Sequence, residues 1–175
     1  AVSADSAPSL LTLNALLKIE SLNSKRLLPI TEFYEAPGKV KLNKGEILTE
    51  IIIKKEDYEN LHGKYIKFSN RKAMDIAMLS VAVIGGINNN KFTKLRIALG
   101  VSAPTPIRCF KAEEYALYKE INEEVIKEIA KLTLEEARPR DSWRASKDYR
   151  LHLIKVLTYR ALNNCVKMAG GYISE

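Results

Sequence analysis

From Ser146 to Met168 the chain reads as one long helix that is apolar around most of its girth, so the other elements must be arranged to cover it. Pro139 ends whatever helix precedes it, and Ser146 is a good N-cap whose hydroxyl oxygen can accept a first-turn N–H. Asp148 falls in the first turn, where the helix dipole favours an anion. Beyond the cap, Tyr149, Leu153, Val156, Leu157, Ala161, Cys165 and Met168 follow helical spacing. Leu151, Ile154, Leu162 and Val166 widen that stripe and leave His152, Lys155, Asn163 and Lys167 for a wetter side. Such a helix belongs inside a packed core.

A chain of 175 residues can build that core as one domain or as two small units sharing an interface. Its 46% hydrophobic and 28% charged residues are those of an ordinary soluble globular protein. The longest apolar run, Ile76 to Ile87, is too short to span a bilayer, so no membrane association is expected. The first residues lack a basic start and include Asp5 and Pro8, unlike a secretory signal. Cys109 and Cys165 offer neither a disulfide framework nor metal-ligand spacing, and read as reduced core residues of a cytoplasmic protein.

The net charge of +7 is uneven: residues 1–60 carry 8 basic and 9 acidic side chains, residues 61–175 carry 20 and 12. That excess suits an acidic partner surface or a phosphate-bearing ligand, and equally a well-solvated exterior. The lysines alternate with glutamates and no aromatic platform is interleaved among them, so no nucleic acid is expected.

Taken in order, Pro8 suits the first turn of a short helix carrying Leu10, Leu11 and Leu13. Residues 15–21 partly alternate as a strand, Asn23-Ser24 turns, and Lys25 to Ile30 returns as its partner. Thr31 is expected to cap a brief helix over Glu32 to Glu35, ended near Pro37-Gly38. Lys44-Gly45 turns into the β-branched strand Ile47 to Ile53. The charged stretch Lys54 to Gly63 is the expected internal boundary. A strand at 64–70, an apolar run at 77–87, the turn Asn88-Asn89-Asn90 and a strand at 94–101 follow, the last two strands forming a hairpin. A proline-stiffened connector leads to helices at about 110–119 and 122–137. This order implies an α+β fold, a three-stranded antiparallel sheet with helices on one face.

Pattern alone shows little chemistry. His62 and His152 have no orienting partner in sequence, and read as a loop residue and a residue on the wetter helix face. Gly85-Gly86, inside an apolar strand with no helix start after it, reads as a bulge or close packing rather than a phosphate cradle. Lys67, Arg71 and Asp75, at four-residue intervals, read as a surface or interdomain ion pair. Trp143, flanked by Arg144 and Arg140, reads as an anchored corner with a cation–π contact.

Five ordered strings add a resemblance. Ser3 to Pro8, Gly45-Glu46-Ile47-Leu48, Arg71 to Ala77, Arg96 to Gly100 with Ala103 to Arg108, and Arg144 to Arg150 with Arg160-Ala161-Leu162 resemble the FAD-binding (medium) subunit of the molybdenum hydroxylases. That group includes xanthine dehydrogenase and aerobic carbon monoxide dehydrogenase. The resemblance implies two domains. Residues 1–60 correspond to the later part of a PCMH-type FAD-binding domain, residues 61–175 to a CO-dehydrogenase-flavoprotein C-terminal-like domain. The family's glycine-rich FAD loops precede the Ser3–Pro8 string, so the chain is expected to be truncated at its N-terminus.

By the same resemblance, three residues are carried over as cofactor-binding. Asp5 matches an aspartate that accepts hydrogen bonds from FAD hydroxyls, Leu48 an apolar residue covering the isoalloxazine, and Lys67 a lysine near the flavin. Read without it, they are a helix cap, a strand core residue and a surface lysine. Arg71 and Asp75 are expected to hold strand-to-strand geometry or the interdomain contact. No catalytic or metal residue is implied in this chain. The resemblance implies electrons passing from a molybdenum-cofactor large subunit through [2Fe–2S] clusters in a small subunit to FAD, then to NAD or another acceptor. The rival expectation is a cofactor-free docking module that braces the flavin domain and its partner subunits.

Overall fold

The late helix is built as its sequence dictates. In the computed structural model, which describes residues 2–174, α4 spans Lys147–Met168, and the Ser146 hydroxyl accepts from Tyr149 N–H. Leu153, Ile154, Leu157, Ala161, Leu162, Cys165 and Val166 are buried. Two expected core positions are not: Tyr149 and Met168 are exposed, and Arg150 is buried in their place. The burial stripe is therefore shifted around the helix at its start, because Arg150 is drawn inward by the carbonyls of Met78 and Val101, one residue beyond the adjacent ends of β7 and β8.

Before it come α1 (Ser6–Thr12), β1 (Leu16–Glu20), β2 (Lys25–Pro29), β3 (Tyr34–Ala36), β4 (Lys39–Val40) and β5 (Ile47–Ile52). Then follow β6 (His62–Phe68), β7 (Leu79–Asn88), β8 (Lys91–Gly100), β9 (Ile107–Arg108), α2 (Phe110–Ala116) and α3 (Glu123–Glu136). Three sheets form, ordered β2-β1-β5, β3-β4 and β6-β7-β8-β9. The main sheet is the expected antiparallel one, with β9 added as a two-residue fourth strand. The helix expected after Thr31 is replaced by a single 3-10 turn, Ile30–Glu32, and by β3. Tyr34 pairs with Val40 across the Pro37-Gly38 turn, where Gly38 takes φ +76°. His62 opens β6 rather than lying in a loop, and its carbonyl accepts from Cys165 Sγ at 3.1 Å.

The central hairpin explains why residues 77–87 are apolar but for Ser80: both faces of the sheet are covered. Val81 pairs with Leu99 and Val83 with Ile97, and these side chains meet α2, α3 and α4 in the larger core. Fully burying a residue such as Leu157 there contributes about 1.5–3 kcal/mol. Ser80, Ala82, Ala98 and Gly100 alternate onto the opposite face. There Ala98 packs with Leu11, Ala15, Leu17 and Ile30, a second core that joins the first sheet and α1 to the main sheet. Gly100 sets the approach of α1, since a Cβ at this position would collide with Ser80 Oγ and lie 2.9 Å from Pro8 Cγ. Gly85-Gly86 combines both expected uses. The register shifts between Gly86 and Ile87, and a Gly86 Cβ would lie 2.9 Å from Leu61 Cδ2.

Candidate functional site

Two polar assemblies connect the N-terminal unit to the main sheet. The first is buried. Arg96 Nη2 pairs with Asp57 at 2.7 Å, while Arg96 Nη1 donates to the Thr12 carbonyl at 2.9 Å. Arg108 Nε donates to Glu113 at 2.7 Å, and its Nη1 donates to the Leu11 carbonyl at 3.0 Å and to Asn14 at 2.8 Å. Asn14 in turn donates to Asp57 at 2.8 Å, and Glu113 also accepts from Ile97 N–H. At the C-terminus of α1 the Thr12 carbonyl has no backbone donor among the described residues and is satisfied by Arg96, while Arg108 adds a second donor to the Leu11 carbonyl, which already accepts from Asn14 N–H. Burial pulls the Arg96 pKa below its usual value, and the Asp57 carboxylate opposes that shift. Within two resemblance strings, Arg96 and Arg108 were the residues with a structural task, and sequence reasoning assigned neither.

The second assembly is open. Asp5 makes no cap bond to α1; its carboxylate instead accepts from Lys67 Nζ at 2.7 Å, across the two units. Lys67 also donates to the Asp75 carbonyl at 2.5 Å. Arg71 and Asp75 close the loop between β6 and β7, with Arg71 N–H donating to Asp75 Oδ2 at 3.0 Å and Arg71 Nη2 to the Met74 carbonyl at 2.7 Å. The Arg71 backbone bond holds the Asp75 carboxyl below its ordinary pKa, with Arg71 charge adding to the effect. Lys67 thus pairs with Asp5 and reaches only the backbone of Asp75, while Arg71 and Asp75 hold the geometry of the loop that joins β6 to β7. Met74 adopts φ +53°, which thrusts an exposed thioether outward beside them.

Asp5, Lys67, Arg71, Met74, Asp75, Ile76, Trp143 and Arg144 line one cleft of about 510 Å³. It offers a carboxylate acceptor, an ammonium donor and exposed flat or soft apolar surface. Such a donor set fits a group that is part hydroxylated chain and part flat ring, as FAD is. Trp143 is not an anchored corner: it is 80% exposed, with Arg144 stacked at 4.2 Å from the ring centroid. Leu48 does not line this cleft. It lies on β5, the outer strand of the first sheet, 38% exposed rather than buried, and Ile47 and Ile51 on the same strand are exposed too. The structure thus brings Asp5 and Lys67 together and leaves Leu48 outside their cleft. Their meeting, 62 residues apart, has no local signal in sequence.

Residues 64–165 match the CO dehydrogenase flavoprotein C-terminal domain, and residues 1–55 match the FAD binding domain in molybdopterin dehydrogenase. The chain belongs to the FAD-binding subunit family of the molybdenum hydroxylases. Within this flavoprotein family it is 40% identical over 171 residues to the xanthine dehydrogenase FAD-binding subunit of Escherichia coli O157:H7, covering 98% of this chain and 59% of that protein. It is 30% identical over 160 residues to the glyceraldehyde dehydrogenase medium chain of Sulfolobus acidocaldarius, covering 90% and 56%. Among solved structures, quinoline 2-oxidoreductase from Pseudomonas putida 86 superposes with a TM-score of 0.87 at 26% identity, covering 96% of this chain and 57% of the other. Carbon monoxide dehydrogenase from Hydrogenophaga pseudoflava shares the fold, with a TM-score of 0.87 at 23% identity over 94% and 56%. The chain therefore spans between one half and two thirds of the length of these relatives.

Among the described residues, no group of three His, Cys, Asp or Glu can hold a metal ion, and no helix is long and apolar enough to cross a membrane. Both cysteines are buried; burial pushes the Cys165 thiol up to about 12 and the Cys109 thiol well above its usual value.

Proposed function

We propose that this chain is part of the FAD-binding subunit of a xanthine dehydrogenase-like molybdenum hydroxylase. Residues 1–60 complete a flavin-binding domain and residues 61–175 form the domain that closes against it. The observation that carries this reading is the Asp5–Lys67 pair, in which a residue from each matched region meets at 2.7 Å in one cleft. Asp5, as an ionised acceptor, takes hydrogen bonds from ribityl-type hydroxyls. Lys67, held in place by the Asp75 carbonyl, presents a fixed positive charge toward the ring system. The chain's own work is binding, orientation and charge placement; bound FAD supplies the redox chemistry.

The assembly in this proposal contains an iron–sulfur small subunit and a large subunit carrying the molybdenum cofactor. Electrons reach this subunit's flavin from [2Fe–2S] clusters and leave to NAD or another acceptor, with an N-heterocycle as substrate. The unreactive, buried thiols suit a reducing cytoplasm. Flavin absorbs near about 450 nm as a class, so the test is the spectrum of the purified protein that carries this chain. A yellow protein that loses colour in the Asp5→Ala variant while remaining folded is the expected result. A wild-type protein that is colourless and stays so with added FAD overturns the reading.

One observation favours a second reading. Ile47, Leu48 and Ile51 leave apolar surface exposed on the outer strand β5, as a docking module would. In that case the protein is colourless, and aspartate substitutions at Ile47 and Ile51 abolish co-purification with its partner subunits.

A further inference from the structure

Arg140, Arg144 and Arg150 line a single cavity of about 220 Å³ behind the cleft just described, and no carboxylate lines it with them. Among the described residues none of the three makes an ion pair. Arg150 is 3% exposed, yet its nearest polar partners are neutral: the carbonyls of Met78 at 2.6 Å and Val101 at 3.0 Å, and Ser142 Oγ at 2.7 Å. A guanidinium has five N–H donors, and the Nε of Arg150 is buried without a partner. Arg144 Nε is also buried and unpartnered. A buried charge that lacks both a counter-charge and a full set of hydrogen bonds is costly, and such groups are normally compensated.

Arg150's pKa is pulled below its usual value, first by burial and then by the like charges of Arg140 and Arg144, with Asp141 opposing. Asp141 is turned elsewhere, accepting from Lys147 N–H at 2.7 Å. Ser142 and Ser3 add hydroxyls to the wall. Ser142 Oγ already accepts from Arg150 and from Arg144 N–H, so its own O–H is available to a ligand acceptor. The exposed Arg140 supplies the rim, and the buried Arg150 the depth.

We propose that the cavity lined by Arg140, Arg144 and Arg150 is a phosphate-binding site. Three guanidinium groups around one space call for more negative charge than a single carboxylate brings, and their planar forks match phosphate oxygens. The cavity lies below the roughly 300–1,000 Å³ of pockets that hold drug-sized ligands, so it takes a phosphate group rather than a whole flavin. Arg144 and Ile76 also line the Asp5–Lys67 cleft, which makes the two spaces neighbours. The phosphate is either free or the phosphoryl end of a nucleotide lying across both. This assignment stands on the arginines alone and holds whether or not flavin binds.

Calorimetric titration of the chain with inorganic phosphate, with ADP and with acetate at matched ionic strength tests it. Arg150 also ties down Met78 and Val101, so the informative variants are Arg140→Gln and Arg144→Gln, with Lys131→Gln as a distant surface control. Saturable phosphate binding that weakens roughly tenfold in each arginine variant, and is unchanged in the control, is expected. Tighter binding of ADP than of phosphate marks a nucleotide ligand, and equal binding marks the free ion; both support the site. Absence of saturable binding to folded protein, equal affinity for acetate, or equal weakening in Lys131→Gln overturns it.

Discussion

Arg96 and Arg108 at one end of α1, and the set of Arg140, Arg144 and buried Arg150 near its other end, are matched with counter-charge in opposite ways. The first pair is matched to Asp57 and Glu113, and its remaining donors go to Leu11, Thr12 and Asn14. The second set has carbonyls, a hydroxyl and no carboxylate. A matched buried charge has no free valence, so the first set works as a clamp between units. An unmatched one keeps its demand for an anion, so the second is where a ligand gains most. The same residue type is thus structural or functional according to whether the chain supplies its counter-charge.

The largest expected effect breaks the matched side. Glu113→Ala leaves Arg108 and Ile97 N–H without their shared acceptor, and should lower unfolding free energy by about 3–5 kcal/mol, read from the urea midpoint. A loss below about 1 kcal/mol would place Arg108 with the unmatched set. Gly100→Ala is next. It forces a methyl against Ser80 and Pro8, and by overpacking should cost about 1–3 kcal/mol while loosening α1. Ser146→Ala removes the cap that starts α4 just ahead of Arg150 and should cost about 1 kcal/mol, with the far-ultraviolet spectrum retained.

A third arginine site sharpens the contrast at the surface. Arg26 grips Glu46 through Nε and Nη2, both at 2.8 Å, and with Asn43 N–H at 2.7 Å lowers the Glu46 pKa to about 2. The unfolded chain binds this proton near the ordinary 4.5, so between that pH and about 2 the unfolded state holds more protons. Stability from this pair is therefore complete above the unfolded value and falls as pH drops toward 2. Glu46→Gln should flatten that part of the stability–pH curve and leave neutral pH behaviour with the same slope. The smallest effect belongs to the unmatched set: Arg140→Gln should change unfolding free energy by less than about 0.5 kcal/mol, because its exposed charge holds nothing in place.

What sequence made legible was local. Ser146 as a cap, the 3.6-residue stripe of α4, the Asn-rich hairpin turn and the Gly85-Gly86 irregularity each depend on neighbours within a few residues. The helix expected after Thr31 failed because its residues serve a short pairing with Lys39 and Val40, which outweighs a lone cap signal. Arg150 could not be recognised as buried, since its partners Met78 and Val101 lie 72 and 49 residues away. Asp5 entered through resemblance and Lys67 through charge spacing as well as resemblance, and only the fold shows that they touch. Leu48 looked like a strand core residue because β-branched neighbours surround it, yet β5 is an outer strand that nothing in the described chain covers.

The central claim is that two matched regions meet at Asp5 and Lys67 to hold FAD. Its most direct measurement is the flavin released on acid denaturation from the purified protein that carries this chain, in wild type and in the Asp5→Ala/Lys67→Ala double variant. The pair is partly exposed and adds little to stability, so both proteins should fold alike. One FAD per wild-type chain and a loss of most of it in the double variant is the predicted result. A wild-type protein without flavin, or a double variant that keeps its full complement, would contradict the account.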